Sequence, residues 1–188
     1  NLWLTIPNTA YLAVDRLPIT VDFGEPMDGF EVPWGIGQFN LIAENGVFQQ
    51  PKVSADSLLT IAKNNSQTVT YPRPPEFHGT TFLKQLLVDL TDANPRLYQS
   101  ATAQAQAQLL PVLWQYLEQL HPYLWQQGKA FPSSAAEQLL LYQQKNLSMT
   151  VSFNPNQWLK EKSAQQISES SVRRYFTDGA ITNSHNLA

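Results

Sequence analysis

Val69-Thr70-Tyr71-Pro72-Arg73-Pro74-Pro75-Glu76-Phe77-His78-Gly79-Thr80-Thr81-Phe82-Leu83 is the stretch whose reading decides the fold. Val69-Thr70-Tyr71 is β-branched and aromatic, the composition of a short strand. The prolines that follow exclude helix and central strand from Pro72 to Pro75. Gly79-Thr80-Thr81 then opens a helix that carries Phe82, Leu83, Leu86, Leu87 and Leu90 on one side and stops at Asp92-Ala93-Asn94-Pro95. A strand, a proline loop and a helix make one β–α step.

The same step recurs outward in both directions. Upstream, Phe39-Asn40-Leu41-Ile42-Ala43 reads as a strand entered through Trp34-Gly35-Ile36-Gly37 and left at the turn Glu44-Asn45-Gly46. A helix over Val53–Lys63 follows, with Ser54 as cap and Leu58, Ile61 and Ala62 at helical spacing. Downstream, leucines recur at helical spacing over roughly 101–120, where Pro111 predicts a kink or a helix starting near 109. Ser133 or Ser134 caps a helix over 135–144. Ser148 to Phe153 alternates as a strand, and Pro155 opens a helix running to about 166. Ser171–Phe176 is a strand, Asp178-Gly179 a turn and Ile181–Leu187 a last strand. Glutamine runs at 104–108, 126–127 and 143–144 read as solvated helix faces. Strands alternating with helices predict an α/β fold: a mixed, mostly parallel sheet with helices on both faces.

Length and composition bound the function. The 188 residues suffice for one core, or one core with an appendage. With no cysteine there is no disulfide, thiol nucleophile, cysteine zinc site or iron–sulfur cluster. No apolar run approaches the roughly 20 residues of a membrane helix. A net charge of −3 leaves no electrostatic footprint for nucleic acid. Pro7, Pro18, Pro26 and Pro33 make residues 1–33 an extended connector, so the folded unit is expected over 34–188. The chain stops directly after strand-like residues at Asn186-Leu187-Ala188, which reads as a cut in something longer.

The proline-loop-to-helix junction is the most suggestive place for chemistry. Ligands of open α/β sheets bind at the carboxyl ends of strands, beside helix N-termini. Gly79 lets a ligand approach the backbone there, and the hydroxyls of Thr80 and Thr81 join the free N–H groups of the first turn. A plain helix cap after a turn accounts for the same residues. Trp34, Tyr71, Phe77 and Phe153 fall at strand edges and loops where a cleft opens, whereas Trp114, Trp125 and Trp158 are expected to pack on helices. His78 reads as a surface histidine and His121 as a helix-end cap. No metal spacing, catalytic-triad signature or phosphate loop is present. Gly35-x-Gly37 lacks the third glycine and the helix of a dinucleotide fingerprint.

Taken in order, several segments resemble a known family, the type II periplasmic substrate-binding proteins. Val32-Pro33-Trp34-Gly35-Ile36-Gly37-Gln38-Phe39-Asn40-Leu41-Ile42 looks like the segment that crosses from the first lobe of these proteins into the second. Ser57-Leu58-Leu59, Val69-Thr70-Tyr71-Pro72, Gly79-Thr80-Thr81-Phe82-Leu83, the returning strand Leu147–Asn154 and Ser171–Ala188 fit the same order. Asp22-Phe23-Gly24-Glu25-Pro26-Met27-Asp28-Gly29, Phe77-His78-Gly79-Thr80-Thr81-Phe82, Leu120-His121-Pro122 with Trp125, and Ser152-Phe153-Asn154-Pro155 are similar to a group of ABC-transporter periplasmic components from uncharacterised transport systems, relatives of the thiamine-, polyamine- and iron-binding proteins.

The resemblance implies the second lobe of a two-lobed clamp, periplasmic, that captures a small solute by hinge closure and passes it to a membrane permease, with no catalysis, metal or cofactor. At matching positions it implies ligand contacts from Trp34, Gly35, Gly79, Thr80, Thr81, Asn154, Asp178, Gly179 and Asn183. Asn154 and Asn183 are implied by the resemblance alone. A structural or protein-interaction domain, or an enzyme on the same lobe fold, is the competing expectation.

Overall fold

The computed structural model describes residues 5–12, 21–22, 25–177 and 179–187. After a 3-10 turn at Pro7–Tyr11 come β1 (Val21–Asp22), β2 (Glu25–Pro26), β3 (Val32–Gln38), β4 (Asn40–Glu44) and β5 (Lys52–Val53). Next are α1 (Ala55–Asn64), α2 (Phe77–Leu90), α3 (Ala103–Leu120) and α4 (Ala135–Gln143). The described residues end with β6 (Met149–Ser152), α5 (Gln157–Ser163), β7 (Ser171–Phe176) and β8 (Thr182–Leu187).

Four strands form the main sheet in the order β5-β7-β4-β6, and β3 pairs with β8 in a separate two-stranded ribbon. The sheet is mixed, as expected, but the parallel majority is not found. β4 runs antiparallel to both β6 and β7, and only β5–β7 is parallel. The connectivity explains this. β6 and β7 point the same way and are joined through α5, a crossover of the parallel kind. β4 arrives from the ribbon and is inserted between them in the opposite direction.

Period-two alternation along β4 divides the core. Leu41 and Ala43 face a large cluster with Phe48 of the β4–β5 loop and with Leu58, Phe82, Leu86, Leu117 and Leu120 of α1, α2 and α3. Ile42 faces the other side, with Tyr142, Leu147 and Ile167 and the half-buried Trp125 and Trp158. Helices therefore cover both faces, as the alternation predicts. β4 is buried along nearly its whole length because each face has its own layer.

Val69–Tyr71 does not form a regular strand. Thr68 O accepts from Ser148 N at 2.7 Å, but farther along a side chain enters the ladder. The fully buried Gln138 donates to Thr70 O at 2.8 Å and accepts from Val151 N at 3.3 Å. Its carboxamide stands where a peptide group would, and the 68–71 segment advances along β6 in the same direction.

The helix ends follow local chemistry. Ser54 caps α1 by accepting from Ser57 N, and Asp89 of α2 accepts from Ala55 N at 2.6 Å. The Tyr116 hydroxyl of α3 donates to Ala55 O at 2.7 Å. Its pKa is pushed up by burial, with Asp89 and Asp56 adding to the effect. α3 runs through Pro111 as one helix instead of starting near 109. Pro111 and Ala107 are both exposed, so the carbonyl that Pro111 cannot satisfy faces water. Trp114 lies on the same outer side and is 50% exposed, where packing was expected.

Candidate functional site

The ribbon, the sheet and α2 meet where β3 hands over to β4. Gln38 N donates to Phe153 O at 2.8 Å and Phe39 N to Ile181 O at 2.9 Å. A Cβ on Gly37 would lie 3.2 Å from Phe153 O, so a glycine lets the two chains touch. Gln85 of α2, fully buried, fixes the third partner: it donates to Gly179 O at 2.8 Å and accepts from Ile181 N at 2.9 Å. This junction lies at the carboxyl end of β6 and beside the first turn of α2.

That first turn is already occupied. Glu76 is the N-cap, and its Oε2 accepts from Gly79 N at 2.8 Å. Its Oε1 lies 3.0 Å from His78 Nδ1. One carboxylate thus caps the helix and orients the imidazole. Gly79 serves packing: a Cβ there would stand 1.9 Å from Pro72 O. Thr81 is buried and donates its hydroxyl to Phe77 O at 2.8 Å. The half-buried Thr80 gives its backbone N–H to Glu76 O at 2.8 Å.

An aromatic group surrounds the imidazole. His78 lies 5.5 Å from both Phe77 and Phe153, and the two phenylalanine rings are 4.9 Å apart. Phe153 rests in turn on Phe39 of the core, at 5.2 Å. Phe77 is 44% exposed, so the group opens to solvent on one side.

Trp34 stands farther out on the ribbon. The β3–β8 register steps from Pro33↔Asn186 to Gly35↔His185, so Trp34 is the extra residue of a β-bulge. It is 70% exposed, with His185 against its ring at 5.6 Å. Asn183 pairs with Gly37, at the ribbon end nearest the junction. Asn154 is exposed, and its Oδ1 accepts from Asn156 N at 2.9 Å, closing a local turn. Gly179 has φ +90 and is held by Gln85. Asp178 lies outside the described residues. The junction therefore holds Gly179 through Gln85, has Asn183 paired with Gly37 and has Phe153, the residue before Asn154, bonded to Gln38; Gly79 and Thr80 lie in the first turn of α2, and Trp34 and Gly35 extend along the ribbon.

Glu76 and Gln85 carry no mark in the sequence, and His78 reads there as a surface histidine. Glutamate is not among the favoured N-cap residues, so nothing local marked it. The Glu-x-His spacing ahead of Gly79 was the available signal. His121 does more than cap a helix: its Nε2 lies 2.9 Å from the Tyr71 hydroxyl, against Phe131. Burial lowers the His121 pKa and pushes that of Tyr71 up to about 12. An open groove of about 640 Å³ lies away from the junction, between the β4–β5 turn and α1, lined by Gln49, Lys52, Ser57 and Asn64 among others. Among the described residues no cluster of three or more potential metal ligands occurs, and no helix is long and apolar enough to cross a membrane.

No protein-family model matches the chain. It is 41% identical over 181 residues to Protein YnjB of Escherichia coli (strain K12), covering 96% of this chain and 46% of that protein. The chain thus spans about half the length of the curated relative it matches. Among solved structures it is similar to PotD, the spermidine/putrescine ABC transporter substrate-binding protein of Streptococcus pneumoniae, crystallised with calcium and HEPES. The TM-score is 0.63 at 15% identity, over 98% of this chain and 50% of that one. It is also similar to the Atu4243-GABA receptor, with a TM-score of 0.51 at 15% identity over 49% of that chain. The chain has the fold of about half of an ABC-transporter substrate-binding protein.

Proposed function

We propose that the chain is the second, solute-binding lobe of a two-lobed ABC importer component. It captures a small solute by hinge closure in the periplasm, delivers it to a membrane permease, and performs no catalysis. The division proposed is a connector over residues 1–33 and the lobe over 34–188. The observation that carries the reading is the bulged ribbon: two strands run side by side from the junction, and the bulge turns Trp34 out farther along them. Bulges of this kind re-aim side chains next to binding sites. The fold match to half of PotD supports the same reading.

A solute enters at the junction, between the ring group of Phe77, His78 and Phe153 and the bulged Trp34. Gly35, Gly79, Thr80, Thr81, Asn154, Asp178, Gly179 and Asn183 are the further proposed contacts. Among them the geometry favours Thr80 and Asn183 over Thr81, whose hydroxyl is spent on Phe77 O. A thermal-shift screen of the full-length protein with thiamine derivatives, polyamines, sugars and oxyanions tests the reading. At least one solute is expected to raise the melting temperature, and calorimetry is expected to give weaker binding to the 188-residue chain. Equal affinity for both would sink the two-lobe capture.

A further inference from the structure

We infer that this lobe recognises its solute through a hydrogen-bond donor on an apolar body, an ammonium or a hydroxyl, received by His78 Nε2 against the rings of Phe77 and Phe153. A carboxylate or phosphate is refused at the same place. The inference deepens the solute-binding reading above and rests on it.

The imidazole is held for this task. Glu76 Oε1 lies 3.0 Å from His78 Nδ1, and Glu76 is itself anchored through Oε2 by Gly79 N. A carboxylate on Nδ1 places the proton of the neutral ring on that nitrogen, so Nε2 presents its lone pair. Among the described residues Nε2 has no hydrogen-bond partner. The His78 side chain is 27% exposed, so a solute can reach it.

The surroundings set the rest of the chemistry. Phe77 and Phe153 flank the ring and offer an apolar surface with electron-rich faces, which suits a hydrocarbon body and tolerates a cation. The N-terminus of α2 would ordinarily draw an anion. Here Glu76 already takes the Gly79 N–H, and an incoming carboxylate would meet that charge at close range.

The test uses the protein with ¹⁵N-labelled histidine at pH 8 and three probes sharing one phenyl body: benzylamine, benzyl alcohol and benzoate. The chain has three histidines, so His121 and His185 serve as internal references. The His78 Nε2 resonance is expected to move with the amine or the alcohol and to stay in place with benzoate. His78→Asn keeps an amide to face Glu76 but has no Nε2. It is expected to weaken the active probe about tenfold, read on the Phe77 and Phe153 ring resonances, with the circular dichroism spectrum unchanged. Glu76→Gln is expected to admit benzoate.

Benzoate binding at His78 as tightly as either donor overturns the inference, and so does an unweakened His78→Asn variant. Silence of all three probes overturns it as well. In each of these cases a solute that still raises the melting temperature in the thermal-shift screen leaves the solute-binding reading standing. If no solute does so, that reading falls too.

Discussion

The four-stranded sheet and the β3–β8 ribbon share one continuous stretch of chain, β3 running into β4, and obey different rules. β4 is buried on both sides, and Phe39, Leu41, Ile42 and Ala43 are all 0% exposed. β3, one residue upstream, is mostly half-buried and carries Trp34 at 70% exposure. The sheet is held by two side-chain layers; the ribbon is held mainly by its backbone ladder. A region held by packing resists deformation, because a close-packed core has no spare volume. A region held by a ladder with a bulge in it bends at lower cost. The solute-binding reading needs both, a rigid wall and a compliant crossing, and the change occurs over Gln38–Asn40.

The largest expected effect breaks the rigid side. Gly79→Ala puts a Cβ into Pro72 O, which backbone alone must absorb. About 4 kcal/mol or more of stability is expected to be lost in denaturant unfolding. Phe39→Ala empties a fully buried site touching Phe153 and Phe176, at a cost of about 3–5 kcal/mol. Gln138→Leu keeps the volume and strands Thr70 O and Val151 N in the interior, for a total of about 2–4 kcal/mol.

A smaller effect comes from pH. Burial lowers the His121 pKa, so the unfolded chain takes up this proton first. Stability from His121 is complete above the ordinary imidazole value of about 6.5 and declines as pH falls through it towards the folded value. A His121→Gln variant is expected to show a flatter acid limb in melting temperature against pH; an unchanged limb would remove His121 as its source. The smallest effect belongs to the ribbon. Trp34→Ala is expected to change stability by no more than about 0.5 kcal/mol while weakening solute binding. A loss comparable to that of Phe39→Ala would erase the distinction between the two regions.

Local chemistry made most elements legible in the sequence. Ser54 announced α1, alternation from Ser148 announced β6, and Ser171–Phe176 was read at the observed bounds. Strand direction was not legible, because alternation along a strand is the same whichever way its neighbours run. The insertion of β4 between β6 and β7 is a long-range fact. The junction was half legible. Trp34 is legible as an open aromatic and Gly79 as a special backbone position, though neither the bulge nor the contact with Pro72 is. The structure shows a glycine packed on Pro72 and a tryptophan expelled by a bulge. Gln85 and Gln138 resembled the other helical glutamines because nothing in a single sequence tells a buried amide from a solvated one.

Those two glutamines give the molecule built-in reporters. A surface carboxamide trades its protons with water almost at once. The side-chain amides of Gln85 and Gln138 are fully buried and bonded to backbone carbonyls, so only an opening of the fold releases them. In deuterated solvent Gln138 is expected to exchange with the central strands, while Gln85 follows the opening of the β8 approach. The interval between the two rates would measure, in one spectrum, how far the crossing loosens before the sheet does.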